Sequence, residues 1–303
     1  MSRPYAADVG ETGVGLLHPG EMGAAVGRCL AAAGHQVLWL PEGRSAASAA
    51  RAAAAGLTAA DGGLAALARR AAVIVSVCPP HAAADVARQV AGAGFSGLYL
   101  DANAVAPGTA RQVAAIVAAG GADYVDGGII GAPPVRPGFI RLYLSGPRAE
   151  EVAALFGGTE VDARVIGPGP GAAGPGGQAG AVTSASAVKM AYAAWTKGSA
   201  ALVLAARALA RAEGVEEALL AEWAASQPGL ADRWARAAGS AMAKGWRWAG
   251  EMEEIAAAMA AVGLPDGFHR AAAEIYRRPA LLAREDSPPG NRPPQQGPRR
   301  SAR

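Results

Sequence analysis

The sequence has few cysteines, few histidines and no long apolar run, and each shortage excludes a class of protein. Its two cysteines, Cys29 and Cys78, both stand in apolar segments, so we expect no disulfide framework and a reducing cytoplasm. The four histidines lack the close spacing of metal ligands, which predicts no metal site. No window approaches about eighteen uninterrupted apolar residues, and no signal peptide precedes the first apolar segment. We therefore expect neither export nor a membrane span.

Charge is also scarce, at 17% of the residues, and it is unevenly placed. The C-terminal stretch 284–303 holds five arginines against Glu285 and Asp286, which accounts for the whole net charge of +3. The rest of the chain is neutral and offers no basic face that could follow a phosphate backbone, so a nucleic-acid partner is not expected. With 51% apolar residues, the 303-residue chain predicts one large or two medium globular domains.

Short apolar runs alternate with Ala-rich stretches through the first half of the chain. The runs are continuous, which indicates strands buried on both faces and hence a parallel sheet covered by helices on both sides. The sequence therefore predicts an α/β fold that begins with a Rossmann-type doubly wound parallel sheet. The predicted strands are 12–17, 36–40, 72–77, 98–101, 123–126 and 140–146.

The second half of the chain is predicted to be all-helical, and a Gly/Pro-rich stretch at 167–177 marks the domain junction. The Pro-rich tail predicts disorder. The predicted domains are a flexible N-terminus (1–11), a Rossmann-type domain (12–170), an all-helical domain (178–283) and the tail (284–303). The predicted helices are 178–211, 215–225, 230–244, 250–261 and 268–278.

The first strand is followed by a loop typical of dinucleotide binding. In His18-Pro19-Gly20-Glu21-Met22-Gly23, Gly20 would let a pyrophosphate approach the backbone, and Gly23 would let the next helix pack on the strand. His18 replaces the first glycine of the pattern, which leaves an ordinary tight turn as the alternative interpretation.

The residues after the second predicted strand bear on the choice of cofactor. Glu42 is the carboxylate type that accepts from a ribose hydroxyl of NAD, whereas Arg44 and Ser45 are the pair that suits the 2′-phosphate of NADP. We favour NADP, with NAD possible. The alternative is that these charges belong to a solvated loop.

Five motifs in the same order resemble the β-hydroxyacid dehydrogenase superfamily, which includes 6-phosphogluconate and 3-hydroxyisobutyrate dehydrogenases. The stretch 247–278 is similar to a subgroup whose C-terminal domain has no assigned role. The resemblance implies an NAD(P)-dependent oxidoreductase that interconverts a small hydroxy compound, above all a hydroxy acid, with its carbonyl form. It also implies a homodimer formed through the helical domain. The motifs are GLLHPGEMG (15–23), VCPP (77–80), LDANAVAP (100–107), DGGIIGAPP (126–134) and SAVKMAYAAWTKG (186–198).

By this resemblance, Lys189 is the general acid/base that exchanges the proton of the substrate hydroxyl. The residues support this role independently, because an apolar helix segment desolvates an ammonium group and lowers its pKa toward the useful range. The alternative is a surface lysine whose stem covers apolar residues. Helical spacing places Tyr192, Ala193 and Thr196 on the same face, and Ala193 stands where the family commonly has a substrate-holding asparagine.

The remaining matched positions surround the expected nicotinamide and substrate. Ile130 stands where the family has a serine, which removes a hydroxyl that would hold a substrate carboxylate. The predicted cofactor-binding residues are His18, Pro19, Gly20, Glu21, Met22, Gly23, Arg44, Ser45, Cys78, Pro79 and Asn103, and the predicted substrate-binding residues are Ile130, Gly131, Tyr192, Thr196 and His269.

Other helical-domain residues receive weaker assignments. Lys197 is predicted to be solvated, whereas Lys244, Arg247 and His269 are candidates to reach the site, either from this domain or from a second subunit. The bulky side chains of Trp223, Trp234, Trp246 and Trp248 predict core or subunit interface.

Two further functions compete with the dehydrogenase. One is an imine reductase, a chemistry found on a similar scaffold where Asp or Tyr often replaces the lysine. The other is a sensor or assembly protein that binds NADP without turnover. This hypothesis arises because the chain departs from the family pattern at His18, Ile130 and Ala193.

Overall fold

A computed structural model describes residues 13–133, 139–167 and 182–278 of the chain. The predicted N-terminal segment 1–11, most of the Gly/Pro-rich junction and the predicted tail lie outside the described residues. The described part begins with a sheet and helices in alternation and ends in helices alone, which confirms the predicted fold class.

The strands of the first half form one eight-stranded sheet in the order β3-β2-β1-β4-β5-β6-β7-β8. All neighbouring strands pair in parallel except β6 and β7, which are antiparallel. The apolar pattern does not predict the short edge strands β3 and β8, and β6 continues four residues beyond its predicted end. The strands are β1 Val14–Leu16, β2 Val37–Trp39, β3 Thr58–Ala59, β4 Val73–Ser76, β5 Leu98–Asp101, β6 Asp123–Ile130, β7 Ile140–Ser145 and β8 Val161–Val165.

Helices cover both faces of this sheet, as the continuous apolar strands predict. One face packs its Val14, Leu16 and Val75 in a core with Val26 and Leu30 of the first helix. The other face packs Leu38, Ile74 and Tyr99 in a second core with later helices. The helices of this half are α1 Glu21–Ala32, α2 Ala46–Ala54, α3 Gly63–Arg70, α4 Ala83–Gly92, α5 Pro107–Ala119 and α6 Ala149–Ala154.

The second half packs four helices around a core of its own, which holds Met190, Leu204, Trp234 and Met252. The helices are α7 Ser184–Ala212, α8 Glu216–Ser226, α9 Leu230–Ala261 and α10 Gly267–Tyr276. None of the helices within the described ranges combines the length and apolar character needed to cross a bilayer.

Helix α9 corrects the sequence prediction of two helices separated at 245–249. It runs without interruption for 32 residues. One face of α9 buries Ala241, Gly245, Ala249 and Met252 against α7 and α10. A single helical glycine costs only about 1 kcal/mol relative to alanine, so this packing outweighs the break that Gly245 suggests.

The four tryptophans of the helical domain have different environments. Trp234 is buried, and Trp223 and Trp248 pack partly buried against the helical core. Trp246 is 68% exposed, so the prediction of core does not hold for it. An exposed apolar stripe also follows one face of α7 and consists of Trp195, Leu202 and Leu209. The homodimer implied by the resemblance stays a prediction.

Candidate active site

Two adjoining cavities lie where the carboxyl ends of the parallel strands meet the helical domain. The loop cavity, of about 420 Å³, is bounded by the loops after β1 and β4 and by α9. The lysine cavity, of about 470 Å³, is bounded by the ends of β4, β5 and β6 and by α7 and α9. They share Glu21, Met22, Cys78, Lys244 and Arg247 among their lining residues. Strand order reverses between β1 and β4, and such switch points are where open α/β sheets bind ligands.

The loop after β1 has the shape of an anion site. Gly20 is the N-cap of α1 with an extended backbone and no side-chain cap, so the first amides of α1 are left for a ligand. A Cβ on Gly20 would meet nothing within 4 Å, whereas a Cβ on Gly23 would lie 2.1 Å from the His18 carbonyl oxygen. The second glycine of the pattern therefore leaves open space for a bound group, and the third is required by packing.

His18, which replaces the first glycine of the pattern, lines the loop cavity with a half-buried ring. Burial, and to a smaller extent the charge of Arg44, lowers the pKa of His18 to about 4, so the ring is neutral at pH 7. Its buried Nδ1 has no hydrogen-bond partner within the described chain. The substitution leaves the loop intact and adds one unsatisfied polar atom beside it.

Basic and hydroxyl side chains of α2 and of the loop before it approach the other end of the loop cavity. Arg51 Nε donates to the Pro19 carbonyl oxygen at 3.2 Å, and its Nη2 donates to Ser48 Oγ at 3.1 Å. Arg44 lines the same cavity with a buried Nε that lacks a partner among the described residues. The glutamate that would suit NAD, Glu42, is exposed and does not line this cavity.

The structure places Ser45 outside the loop cavity, although the sequence assigns it to the cofactor. Ser45 is exposed, and its Oγ accepts from the Ser48 amide at 3.2 Å as the N-cap of α2. Sequence reasoning missed Ser48 and Arg51. Their signal is helical spacing, since Ser48 and Arg51 stand three residues apart in α2 and therefore share one face of that helix.

Asn103 holds the backbone that follows β4. Its Oδ1 accepts from the Cys78 amide at 2.5 Å, and its Nδ2 donates to Ser76 Oγ at 3.2 Å. The Asn103 amide in turn donates to Asp101 Oδ1 at 3.1 Å. Burial raises the pKa of the Cys78 thiol to about 12, so this cysteine is neutral and unreactive. Cys78 and Asn103 both line the lysine cavity, and Pro79 lines the loop cavity.

Asp126, at the middle of β6, anchors the first turn of α7. Its Oδ2 accepts from the Ser186 amide at 2.8 Å and from Ser145 Oγ at 3.1 Å, while its Oδ1 accepts from Ser186 Oγ at 2.5 Å. A carboxylate at a helix N-terminus also interacts favourably with the helix dipole. Register pairs Asp126 with Asp101 across β5 and β6. Burial raises the pKa of Asp126 to about 6, and burial with the charge of Asp126 raises that of Asp101 to about 7.

Gly128 lets α7 lie directly against β6. A Cβ on Gly128 would lie 2.5 Å from the Ala185 carbonyl oxygen and 3.2 Å from Lys189 Cβ. This close approach brings Lys189 Nζ to the Ile129 carbonyl oxygen, to which it donates at 2.7 Å. Desolvation, with a smaller contribution from the charge of Arg247, lowers the pKa of Lys189 to about 8. Lys189 therefore exchanges its proton near neutral pH.

Lys197 corrects the sequence prediction of a solvated side chain. It is only 16% exposed and forms an ion pair with Glu251 of α9, which is itself 7% exposed. Its Nζ also lies 5.6 Å from the centre of the Trp248 ring. The error arises because the partner stands 54 residues away in sequence, on another helix.

The predicted substrate residues divide into two groups. Gly131, Tyr192 and Thr196 line the lysine cavity. Ile130 is buried and does not line it, because the side chains of a strand alternate and its neighbour Ile129 faces the cavity instead. His269 is buried against α7, with Nε2 3.4 Å from the Ala194 carbonyl oxygen, and lines neither cavity.

Helix α9 contributes side chains that the sequence only suggested. Lys244 and Arg247 line both cavities, and Lys244 Nζ pairs with Glu21 of α1 at 3.0 Å. The helical domain thus forms the wall of the loop cavity that faces the nucleotide loop. Across the described residues, no group of histidine, cysteine and carboxylate side chains is arranged to hold a metal ion.

Comparison with protein families gives two matches. Residues 13–151 match the NAD-binding domain of 6-phosphogluconate dehydrogenase, and residues 210–278 match a domain of unknown function, DUF1932. No curated protein matches the chain.

Several solved structures resemble the fold of this chain over most of the length of both chains. A conserved hypothetical protein from Sinorhizobium meliloti 1021 is 26% identical with a TM-score of 0.62, covering 93% of this chain and 91% of its own. A 3-hydroxyisobutyrate dehydrogenase from Salmonella typhimurium is 17% identical with a TM-score of 0.62, covering 88% and 93%. A reductive aminase from Aspergillus terreus in complex with NADPH and ethyl levulinate is 20% identical with a TM-score of 0.52, covering 89% and 94%.

The two family matches stand in the order that the motifs predict, and they cover β1 to β7 of the first half and, in the second half, the end of α7 with helices α8 to α10. The first half is the sheet with the nucleotide loop, and the second is the helical domain that closes over it. The chain therefore joins an NAD-binding domain of the 6-phosphogluconate dehydrogenase type to a DUF1932 domain, the combination that the resemblance to the β-hydroxyacid dehydrogenase superfamily predicts.

Proposed function

We propose that this protein is an NADP-dependent oxidoreductase that interconverts a small hydroxy compound, above all a hydroxy acid, with its carbonyl form. The observation that carries the proposal is the position of Lys189. Its largely buried Nζ bonds to the Ile129 carbonyl oxygen in a cavity that adjoins the nucleotide loop. With a pKa of about 8, Lys189 is suited to act as both proton acceptor and proton donor.

The residues of the loop cavity fit a nicotinamide dinucleotide. The uncapped amides of α1 and the open space at Gly20 suit a pyrophosphate, and Arg44, Ser48 and Arg51 suit a 2′-phosphate. The Asn103 bond to the Cys78 amide fixes the backbone between this loop and Lys189. When bound, NADP supplies the two-electron redox chemistry as acceptor or donor of hydride.

Lys189 supplies the proton chemistry. In oxidation, the lone pair of its neutral Nζ takes the hydroxyl proton, and the electrons of the broken O–H bond form the second bond of the carbonyl. In reduction, the ammonium returns that proton to the oxygen. The Ile129 carbonyl oxygen orients Nζ in both directions, and the apolar surroundings of α7 keep the two protonation states close in free energy.

The direct test is oxidation of NADPH by the purified protein in the presence of small keto acids and aldehydes. Turnover with at least one of them is expected. A parallel series of ketones mixed with amines tests imine reduction. Tight NADPH binding without consumption in either series would contradict the proposal and would favour a non-catalytic nucleotide-binding protein.

The choice of NADP predicts a selective effect of Arg44→Ala. Hydrogen bonds to a charged group contribute about 1.5 to 3 kcal/mol, so the Kd for NADPH should rise about 10- to 100-fold. The Kd for NADH should change little, because NADH has no 2′-phosphate. Nucleotide fluorescence titration measures both constants.

Ser45→Ala is the matched control for the cofactor prediction. It removes a neighbouring hydroxyl that caps α2 outside the cavity, so it should lower stability by about 1 kcal/mol without changing the ratio of the two Kd values. Equal weakening of NADPH and NADH by Arg44→Ala would contradict a 2′-phosphate site at Arg44.

The pKa of Lys189 predicts opposite pH profiles for the two reaction directions. Oxidation needs the neutral amine, so its kcat/KM should rise with pH and level off above about 8. Reduction needs the ammonium, so its kcat/KM should fall above the same pH. Initial rates from pH 6 to 10 check this, with nucleotide Kd values measured across the same range as a control. Profiles that rise or fall together in both directions would contradict the assignment.

A further inference from the structure

The lysine cavity contains more positive than negative charge. Two of its cations are neutralised by carboxylates from other helices, since Lys197 pairs with Glu251 and Lys244 pairs with Glu21 at 3.0 Å. The cations without a carboxylate partner within the described chain are Lys189 and Arg247. Lys189 alternates between neutral and charged forms, so Arg247 is the permanent charge without an ion pair among the described residues, and Glu21, which interacts with it electrostatically, is already paired with Lys244.

Arg247 has no hydrogen bond or ion pair within the described part of the chain, although its side chain is half-buried. A guanidinium group that is withdrawn from water without a partner is costly, and an anion supplied by a ligand would remove that cost. Its planar fork matches a carboxylate through two parallel hydrogen bonds.

We propose that Arg247 binds the carboxylate of the substrate and holds the neighbouring hydroxyl-bearing carbon over Lys189. This inference rests on the proposed function and names the group that recognises the acid. The substrate loop offers Ile130 where the related enzymes have a serine, and Ile130 does not reach the cavity. The DUF1932 domain would then supply the anchor that the first domain lacks.

The cofactor is the other anion that could meet Arg247, because Arg247 also borders the loop cavity. Two observations favour the substrate. The charge of Arg247 acts on Lys189, the reacting group, and Glu21 at the start of α1, on which it also acts, is already paired with Lys244 at 3.0 Å. The pyrophosphate position is already provided by the uncapped amides of α1.

The test compares Arg247→Met, which keeps the apolar stem, with Arg247→Lys and with the control Arg236→Met. Arg236 is exposed on the same helix and lines neither cavity. Calorimetry measures the Kd values of malonate and of its neutral analogue malonamide for the complex of the protein with NADPH. Fluorescence measures the Kd of NADPH for the protein without either compound. In Arg247→Met, the Kd for malonate should rise about 10- to 100-fold while the malonamide and NADPH constants stay within about threefold. Arg247→Lys should recover part of the loss, and Arg236→Met should match wild type.

A second readout separates binding from structural damage. Removal of the guanidinium charge should move the pH profile of Lys189 upward in the free protein, because a nearby positive charge opposes protonation. In turnover, the KM for a keto acid should rise more than kcat falls.

Three results would overturn the proposal. The first is that the wild-type protein binds malonate no more tightly than malonamide. The second is that Arg247→Met leaves the affinity for malonate unchanged. The third is that Arg247→Met loses more affinity for NADPH than for malonate, which would assign Arg247 to the cofactor. The binding measurements need no turnover. Arg247-dependent binding of malonate by a protein that turns nothing over would therefore support the carboxylate site and reject the proposed reaction.

Discussion

Replacing Lys189 by methionine is expected to lower kcat by about 10³-fold, within the range of about 10²- to 10⁴-fold that a positioned general acid/base contributes. Methionine keeps a flexible stem of similar length but can neither accept nor donate a proton. The change also removes a largely buried amine whose hydrogen-bond partner within the described part of the chain is the Ile129 carbonyl oxygen, so the fold should tolerate it. Steady-state rates in both directions give the effect.

Two controls show whether the loss is chemical. The Kd for NADPH should stay within about threefold of wild type, because Lys189 lies in the lysine cavity and does not line the loop cavity. In Lys189→Ala, which leaves a space for an added base, small alkylamines should restore part of the turnover. A Lys189→Met protein that retains wild-type kcat would contradict the role of this residue.

Replacing Gly128 by alanine is expected to reduce both stability and activity. The new Cβ would lie 2.5 Å from the Ala185 carbonyl oxygen, a backbone atom, so α7 must move away from β6. Overpacking of this kind costs about 1 to 3 kcal/mol of unfolding free energy. The shift would also carry Lys189 away from the Ile129 carbonyl oxygen, and a misplacement of about 1 Å can cost about 10²-fold in rate.

Gly239→Ala is the matched control for Gly128→Ala. Gly239 lies in α9, and a Cβ there would meet nothing within 4 Å. Alanine in a helix interior is favoured over glycine by about 0.5 to 1 kcal/mol, so this variant should be slightly more stable and equally active. Denaturant unfolding and kcat should be measured for both proteins. If Gly128→Ala were as stable and as active as Gly239→Ala, the close packing of α7 on β6 would not position Lys189.

The sequence predicts the first half of the fold well, because its signals are local. Continuous apolar runs such as Val73–Ser76 indicate a strand buried on both faces, and the glycine motif that includes Gly20 and Gly23 marks the start of α1. The same signals fail at the edges of the sheet. Strand β3 has two residues, both exposed, so no apolar run could reveal it.

In the helical half, periodicity gives the existence of helices but not their limits. The stretch 245–249 was predicted to separate two helices, yet the stripe that includes Ala241, Gly245 and Ala249 packs against α7 and α10 in one long helix. Propensity is a weak influence once an amphipathic face is buried. The limits of α9 follow from its neighbours.

The site shows the same division between local and distant information. From sequence alone, Lys189 and Lys197 are two lysines on one apolar helix, and only the first is predicted to be buried. The structure buries both, and gives them different roles, because Glu251 of α9 neutralises Lys197 while Lys189 has a carbonyl oxygen for its partner. Ser45 and Ser48 likewise differ only in where the first turn of α2 directs them.

By itself, the sequence determined the α/β class, the nucleotide loop and the identity of Lys189 as the candidate base, since turn chemistry, apolar pattern and motif order are all properties of neighbouring residues. Only the tertiary structure decided that Asp126 anchors α7, that Gly128 brings Lys189 against β6, and that Arg247 lines the same cavity with no ion pair among the described residues. These relations join elements far apart in sequence. They depend on how closely helices dock on the sheet, which no local pattern specifies.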